Sequence, residues 1–108
     1  MPRNRNSNTR LNEITNRILH AGEPLKIVLF GSRAQNKAQN DSDYDFLIIE
    51  DSNQPRYKRA AKYRRRLRGM GFSKDIVVWT PEEVEQWRNV SNAFITTALR
   101  EGIVLYER

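Results

Sequence analysis

Residues 25–49 read LKIVLFGSRAQNKAQNDSDYDFLII, and this stretch decides the fold. Leu25–Phe30 is apolar and β-branched, too short for a buried helix, and runs straight into Gly31-Ser32, so it reads as a buried strand that exits into a turn. Ser32 can cap a short helix through Ala38, after which Asn40-Asp41-Ser42 make a polar turn. Tyr44–Glu50 is the second strand. Asp43 and Asp45 open it with one residue between them, and positions i and i+2 of a strand point to the same face. Their carboxylates therefore project side by side from the rim of a rigid core, since Phe46–Ile49 follows at once.

Downstream, Asp51-Ser52-Asn53-Gln54-Pro55 interrupts the pattern. Tyr57, Ala60, Ala61, Arg64 and Leu67 then recur at helical spacing up to Gly69 and Gly71, which predicts one basic helix over 56–68. Ser73–Thr80 is a third strand, in which Asp75 opens the apolar run Ile76–Trp79 as Asp45 opens its own. Thr80-Pro81-Glu82-Glu83 is a helix start, with a cap, a proline in the first position and acids in the first turn. A further short helix is expected over Asn92–Arg100, stopped by Gly102, and Ile103–Tyr106 is a short final strand. Upstream, Leu11, Ile14, Ile18 and Leu19 mark a first helix that ends at Gly22 and Pro24. Residues 1–9 are basic, rich in Asn and almost without apolar side chains, so they are expected as a disordered tail. Strands separated by helices predict one α/β (α+β) domain over residues 10–108, a mixed β-sheet with helices packed against it.

Composition narrows the chemistry. The chain has 108 residues and no cysteine, which excludes a disulfide framework, a CxxC redox centre and a thiolate zinc site. With His20 as the lone histidine, a metal would have to be held by oxygen. The longest apolar runs have four residues, far short of a membrane span or a signal-peptide core, so a soluble, cytoplasmic protein is expected. The formal charge is +6, but eight of the 19 Lys and Arg residues lie in Arg56–Arg68, a segment without acids. The other 11 bases face 13 acids, a balance of −2, so one basic element sits on a slightly acidic body.

Paired carboxylates repel unless a cation lies between them, and hard oxygen ligands with open positions suit Mg²⁺ or Mn²⁺ carrying phosphate. If the second and third strands are neighbours, Asp75 can reach the same metals or the attacking hydroxyl. Gly31-Ser32, between a strand and a helix start, offers amide N–H groups and a hydroxyl to phosphate oxygens, with Arg33 and Lys37 adding charge. These parts together fit phosphoryl or nucleotidyl transfer.

The order Gly31-Ser32, ten residues, Asp43-x-Asp45, then a strand, a helix and Asp75 resembles the polymerase-β-type nucleotidyltransferase superfamily. Within it the chain looks most like the minimal nucleotidyltransferases, through GSRAQNKAQNDSDYDFLII (31–49), Lys74-Asp75-Ile76-Val77 and the ending Glu101–Tyr106. The resemblance covers most of residues 11–107. It implies a polymerase-β-like nucleotidyltransferase core, ATP as AMP donor and two Mg²⁺ ions. It also implies the antitoxin half of a toxin–antitoxin pair, with a helical HEPN-family ribonuclease whose tyrosine receives AMP. Carried over, Gly31, Ser32 and, more weakly, Arg33 would bind the triphosphate; Asp43 and Asp45 would hold both metals; Asp75 would ligate one and activate the acceptor hydroxyl. The family usually has Gly where this chain has Asn36, a residue that tolerates left-handed geometry next best. A core this small would take its acceptor from another protein.

Blander readings stand beside these. The basic helix is expected first as a solvated surface, then as a dock for an acidic partner, and only then as an RNA or DNA contact. His20 faces the negative end of its helix, while Trp79, Trp87, Phe94, Ile95, Ala98 and Leu99 read as packing. Two other functions stay open: an antitoxin acting by binding alone, and a small nucleic-acid-binding module using residues 56–68.

Overall fold

The apolar segments pair as four strands, β1 (Lys26–Phe30), β2 (Tyr44–Ile49), β3 (Lys74–Trp79) and β4 (Ile103–Glu107), in a computed structural model that describes residues 5–35, 43–90 and 93–108. Their spatial order is β3-β2-β1-β4. β1 is antiparallel to β2 and β4, whereas β2 and β3 are parallel, so the sheet is mixed as expected. Parallel neighbours need a crossover. Here it is made by α2 (Arg56–Arg59) and α3 (Ala61–Leu67).

Strand parity divides the core into two layers. Ile27, Leu29, Tyr44, Phe46, Ile48, Ile76 and Val78 pack with Ile14 and Ile18 of α1 (Arg5–Ala21) and with Tyr63 and Leu67 of α3. Val28, Leu47, Ile49 and Trp79 point the other way, onto Ile95 and Ala98 of α5 (Phe94–Glu101). α4 (Pro81–Trp87) precedes α5 and starts as its sequence dictates: Thr80 and Glu83 form a reciprocal capping box with proline in the first turn.

Two expectations are corrected. The first helix begins at Arg5 rather than Leu11; residues 1–4 lie outside the described residues. Extending an existing helix is far easier than nucleating one, and Arg10 anchors the extension by stacking over Phe72 and donating to the Tyr44 hydroxyl. The basic helix is two pieces broken at Ala60, whose backbone sits at φ −85° and ψ −9°. This break lets Arg59 turn in toward Val78 and Glu83 while Tyr63 enters the core. The helix expected after Ser32 is described only as a turn through Gln35, with Ala34 and Gln35 N–H groups donating to the Gly31 carbonyl; residues 36–42, including Asn36 and Lys37, lie outside the described residues.

Candidate nucleotide-transfer site

Antiparallel pairing of β1 with β2 sets Phe30 opposite Asp45, so the next residue, Gly31, stands against the Asp45 side chain. Gly31 has φ +79°, a left-handed conformation that L side chains rarely adopt. A Cβ built there would also collide with the Asp45 carboxylate. Glycine is thus required twice, once by the backbone and once by its neighbour.

Parallel pairing of β2 with β3 sets Asp45 opposite Asp75. Parity puts both on the layer that holds Leu47, Ile49 and Trp79, the side covered by α5. Asp43 lies one residue ahead of β2 and is exposed, as is Asp75, whereas Asp45 is half-buried. Burial raises the Asp45 carboxyl above its ordinary value, and the negative charges of Asp75 and then Asp43 push it the same way. The carboxylates are close enough to repel one another. Among the described residues, however, no three His, Cys, Asp or Glu side chains stand as a ready metal cage. The donor chemistry still fits a hard divalent cation: the ligands available are carboxylate oxygens, and a cation would relieve the repulsion felt by Asp45.

Arg33 follows the turn, and its guanidinium lies 3.9 Å from the centre of the Tyr44 ring. It thus reaches an aromatic of the opposite layer, at the same end of the sheet as Asp45. Beside Gly31 the structure opens a cavity of about 310 Å³ between Phe30, Gln35 and the α5 residues Phe94, Thr97 and Glu101. Sequence reasoning placed Phe94 in the packing stripe of α5. Its ring does pack, edge to face with Phe30 and tilted against Trp79.

Much of the basic segment serves the fold. Arg59 is buried and donates to Glu83, the Val78 carbonyl and the Gln54 carbonyl. The Glu83 carboxyl is held down to about 2, chiefly by the Arg59 hydrogen bond, which outweighs the opposing effect of burial, and further by the Thr80 N–H and the Arg59 and Arg56 charges. Lys62 and the Tyr63 hydroxyl both donate to the buried Glu50. Arg65, Arg66 and Arg68 instead line an open groove of about 460 Å³ with Arg17 and His20. His20 Nδ1 lies 2.6 Å from the Asn16 carbonyl oxygen, which it can engage only as a donor, in keeping with a structural role.

A turn after the first strand thus faces carboxylates at the mouths of two neighbouring strands. The chain belongs to the polymerase β nucleotidyltransferase family, whose model, "Polymerase beta, Nucleotidyltransferase", matches residues 12–108. Among solved structures it is similar to a toxin–antitoxin crystallised with AMP-PNP, at 17% identity and a TM-score of 0.64 over 91% of this chain and 73% of the other. It is also similar to a protein from Sulfolobus solfataricus that carries a provisional nucleotidyltransferase assignment, at 20% identity and a TM-score of 0.63 over 92% of this chain and 79% of the other. At these identities the two structures bear on the fold. No curated protein matches the chain. Among the described residues no helix is long and apolar enough to cross a membrane.

Proposed function

We propose that the chain is a nucleotidyltransferase that moves AMP from ATP onto a hydroxyl of a protein partner, as the antitoxin of a HEPN-family ribonuclease toxin. The observation that carries this is the meeting of Gly31, Asp45 and Asp75 at one end of the sheet, within a nucleotidyltransferase-family domain. The toxin–antitoxin with AMP-PNP among its structural neighbours supports the partner and the nucleotide.

In this reading Gly31 and Ser32 seat the triphosphate with amide and hydroxyl hydrogen bonds, and Arg33 adds positive charge. Asp43, Asp45 and Asp75 would hold Mg²⁺, which when bound neutralises charge on the attacking and leaving oxygens. Asp75, the more exposed of the two strand-paired carboxylates, takes the proton of the acceptor hydroxyl. The acceptor oxygen bonds to the α-phosphorus as the bond to the β-phosphate oxygen breaks, and pyrophosphate leaves.

The test is ATP labelled at the α-phosphate, incubated with Mg²⁺ and a lysate of the source organism, with Asp43→Asn as control. Label on one protein, absent from the control, is the expected result and identifies the partner. No label with either folded protein would refute transfer and favour an antitoxin that acts by binding alone.

A second reading rests on the groove lined by Arg17, His20, Arg65, Arg66 and Arg68, which has no acid in its lining and suits backbone phosphates of RNA. It requires RNA affinity that falls steeply with salt and with Ala at Arg65, Arg66 and Arg68. A flat salt response would remove it.

A further inference from the structure

We propose that Tyr57 and the cations that follow it on the crossover helices form a track for single-stranded nucleic acid, with one base stacked on Tyr57 and backbone phosphates over Arg65 and Arg68. This rests on the RNA reading of the groove beside α1 and extends it to strandedness and to a base contact.

Placement comes first. Tyr57 is 77% exposed, the most exposed large apolar side chain among the described residues. Its outward aim follows from Arg59: residues two apart on a helix point to nearly opposite faces, and Arg59 is held inward by Glu83 and the Val78 carbonyl. Ala61, Arg65 and Arg68 succeed Tyr57 at intervals of four, four and three residues, which is one helical face. A groove of about 410 Å³ lies between Tyr57, Lys58, Ala61 and Arg65. Arg65 also lines the groove beside α1, so the two grooves join at that residue. From Tyr57 to Arg68 the joined path spans about 16 Å at 1.5 Å per residue, enough for a few nucleotides.

The side chains decide the occupant. Lys58, Arg65 and Arg68 are exposed, and among the described residues none of the three has a carboxylate partner. Arg56, Arg59 and Lys62 of the same segment are instead paired with Glu83 and Glu50. The unpaired cations keep their charge for phosphates. Tyr57 is the lone large apolar side chain of its groove, whereas protein interfaces centre on apolar clusters depleted of charge. Lys58 Nζ lies 5.8 Å from the centre of the Tyr57 ring, so a flat aromatic surface and a cation stand side by side, as a base and its phosphate require. A duplex keeps its bases stacked on one another and out of reach of the ring. A single strand can turn one base out, and Ala61, small and placed between Tyr57 and Arg65, leaves room for it.

The experiment is fluorescence anisotropy of labelled decauridylate and decathymidylate with the full chain, using a duplex of equal length, inorganic polyphosphate and polyglutamate as competitors. Wild type should bind single strand more tightly than duplex, with log affinity falling against log salt at a slope of about −2, as for three phosphates on a single strand. The two labelled strands tell RNA from DNA, and tighter binding of either one supports the site. Tyr57→Ala should weaken the single strand about tenfold and leave polyphosphate binding unchanged, while Tyr57→Phe retains the strand. Arg68→Ala should make the salt slope shallower by about 0.7. Single strand bound equally by wild type and Tyr57→Ala, or duplex bound as tightly as single strand, overturns the stacking track while leaving backbone binding in the groove standing. Polyglutamate that displaces the oligonucleotide better than polyphosphate assigns this face to an acidic protein and overturns the track. Wild type that binds no nucleic acid at low salt overturns the RNA reading and this track together.

Discussion

Gly31 and Asp45 form a pair in which each limits the other. Gly31→Ala combines strain at φ +79° with a collision against the Asp45 carboxylate, so it should cost about 1–3 kcal/mol and displace a proposed ligand. Denaturant unfolding reads the first effect, and ATP binding that falls further than stability explains reads the second. Asp45 poses the opposite case. Its charge is disfavoured by burial and by Asp75 and Asp43, so Asp45→Asn should stabilise the metal-free protein by about 1 kcal/mol while abolishing transfer. Thermal melting in chelator, then in Mg²⁺, separates the two: Mg²⁺ should raise the melting temperature of wild type but not of the variant. A variant less stable than wild type in chelator would mean that the carboxylate supports the fold rather than straining it. Both residues were legible in the sequence, because a glycine leaving a strand and carboxylates two apart are local patterns. What local pattern could not give is the register that sets Asp45 opposite Asp75, since β3 reaches β2 only after the chain has crossed over.

At the level of elements, the Arg59–Glu83 pair fastens the crossover to the sheet. Arg59 Nη1 lies 2.7 Å from Glu83 and also donates to the Val78 carbonyl, joining α2 to β3 and to the start of α4. Exposed pairs such as Arg88–Glu85 contribute little, about 0–1 kcal/mol. Arg59 is buried, so stranding its charge is costly. The Glu83 carboxyl lies at about 2 in the fold against its ordinary 4.5. Lowered folded affinity for the proton means that its stabilisation is fully present above about pH 4.5 and is lost as pH falls toward 2. Glu83→Gln should therefore cost about 2 kcal/mol at pH 7 and flatten the decline between pH 4.5 and 2. Urea unfolding across that range checks it, and parallel stability curves for the two proteins would remove the pair from this role. The same contact explains a misread element. The capping box at Thr80 was legible because its partners are three residues apart, whereas the break at Ala60 serves an ion pair 24 residues away in sequence. Periodicity alone could describe only one continuous helix there.

Across the whole molecule, the +6 charge separates into cations that build the fold and cations that remain at its surface. In Arg56–Arg68, Arg59 is buried on Glu83, Arg56 lies over Trp79 at 4.3 Å, Lys62 pairs with Glu50, and Arg66 donates to the His20 carbonyl. Arg64, Arg65 and Arg68 are exposed, and Arg65 and Arg68 line the groove beside α1. The carboxylate cluster faces the α5 side of the sheet, whereas this groove lies on the α1–α3 side, so changes in one should leave the other's ligands unaffected. Changing Arg64, Arg65 and Arg68 together to Ala should shift stability by about 0.5 kcal/mol or less per site, as for ordinary surface positions. It should also leave α-phosphate transfer to a protein acceptor unchanged, while Arg59→Ala alone should destabilise by about 3–5 kcal/mol. Thermal melting and the labelled-ATP assay on the same samples give both answers. Loss of transfer in a triple variant that melts like wild type would move the groove into the function, as the surface that holds the acceptor. Unaltered transfer together with abolished salt-dependent RNA binding would assign RNA binding to a second, independent face.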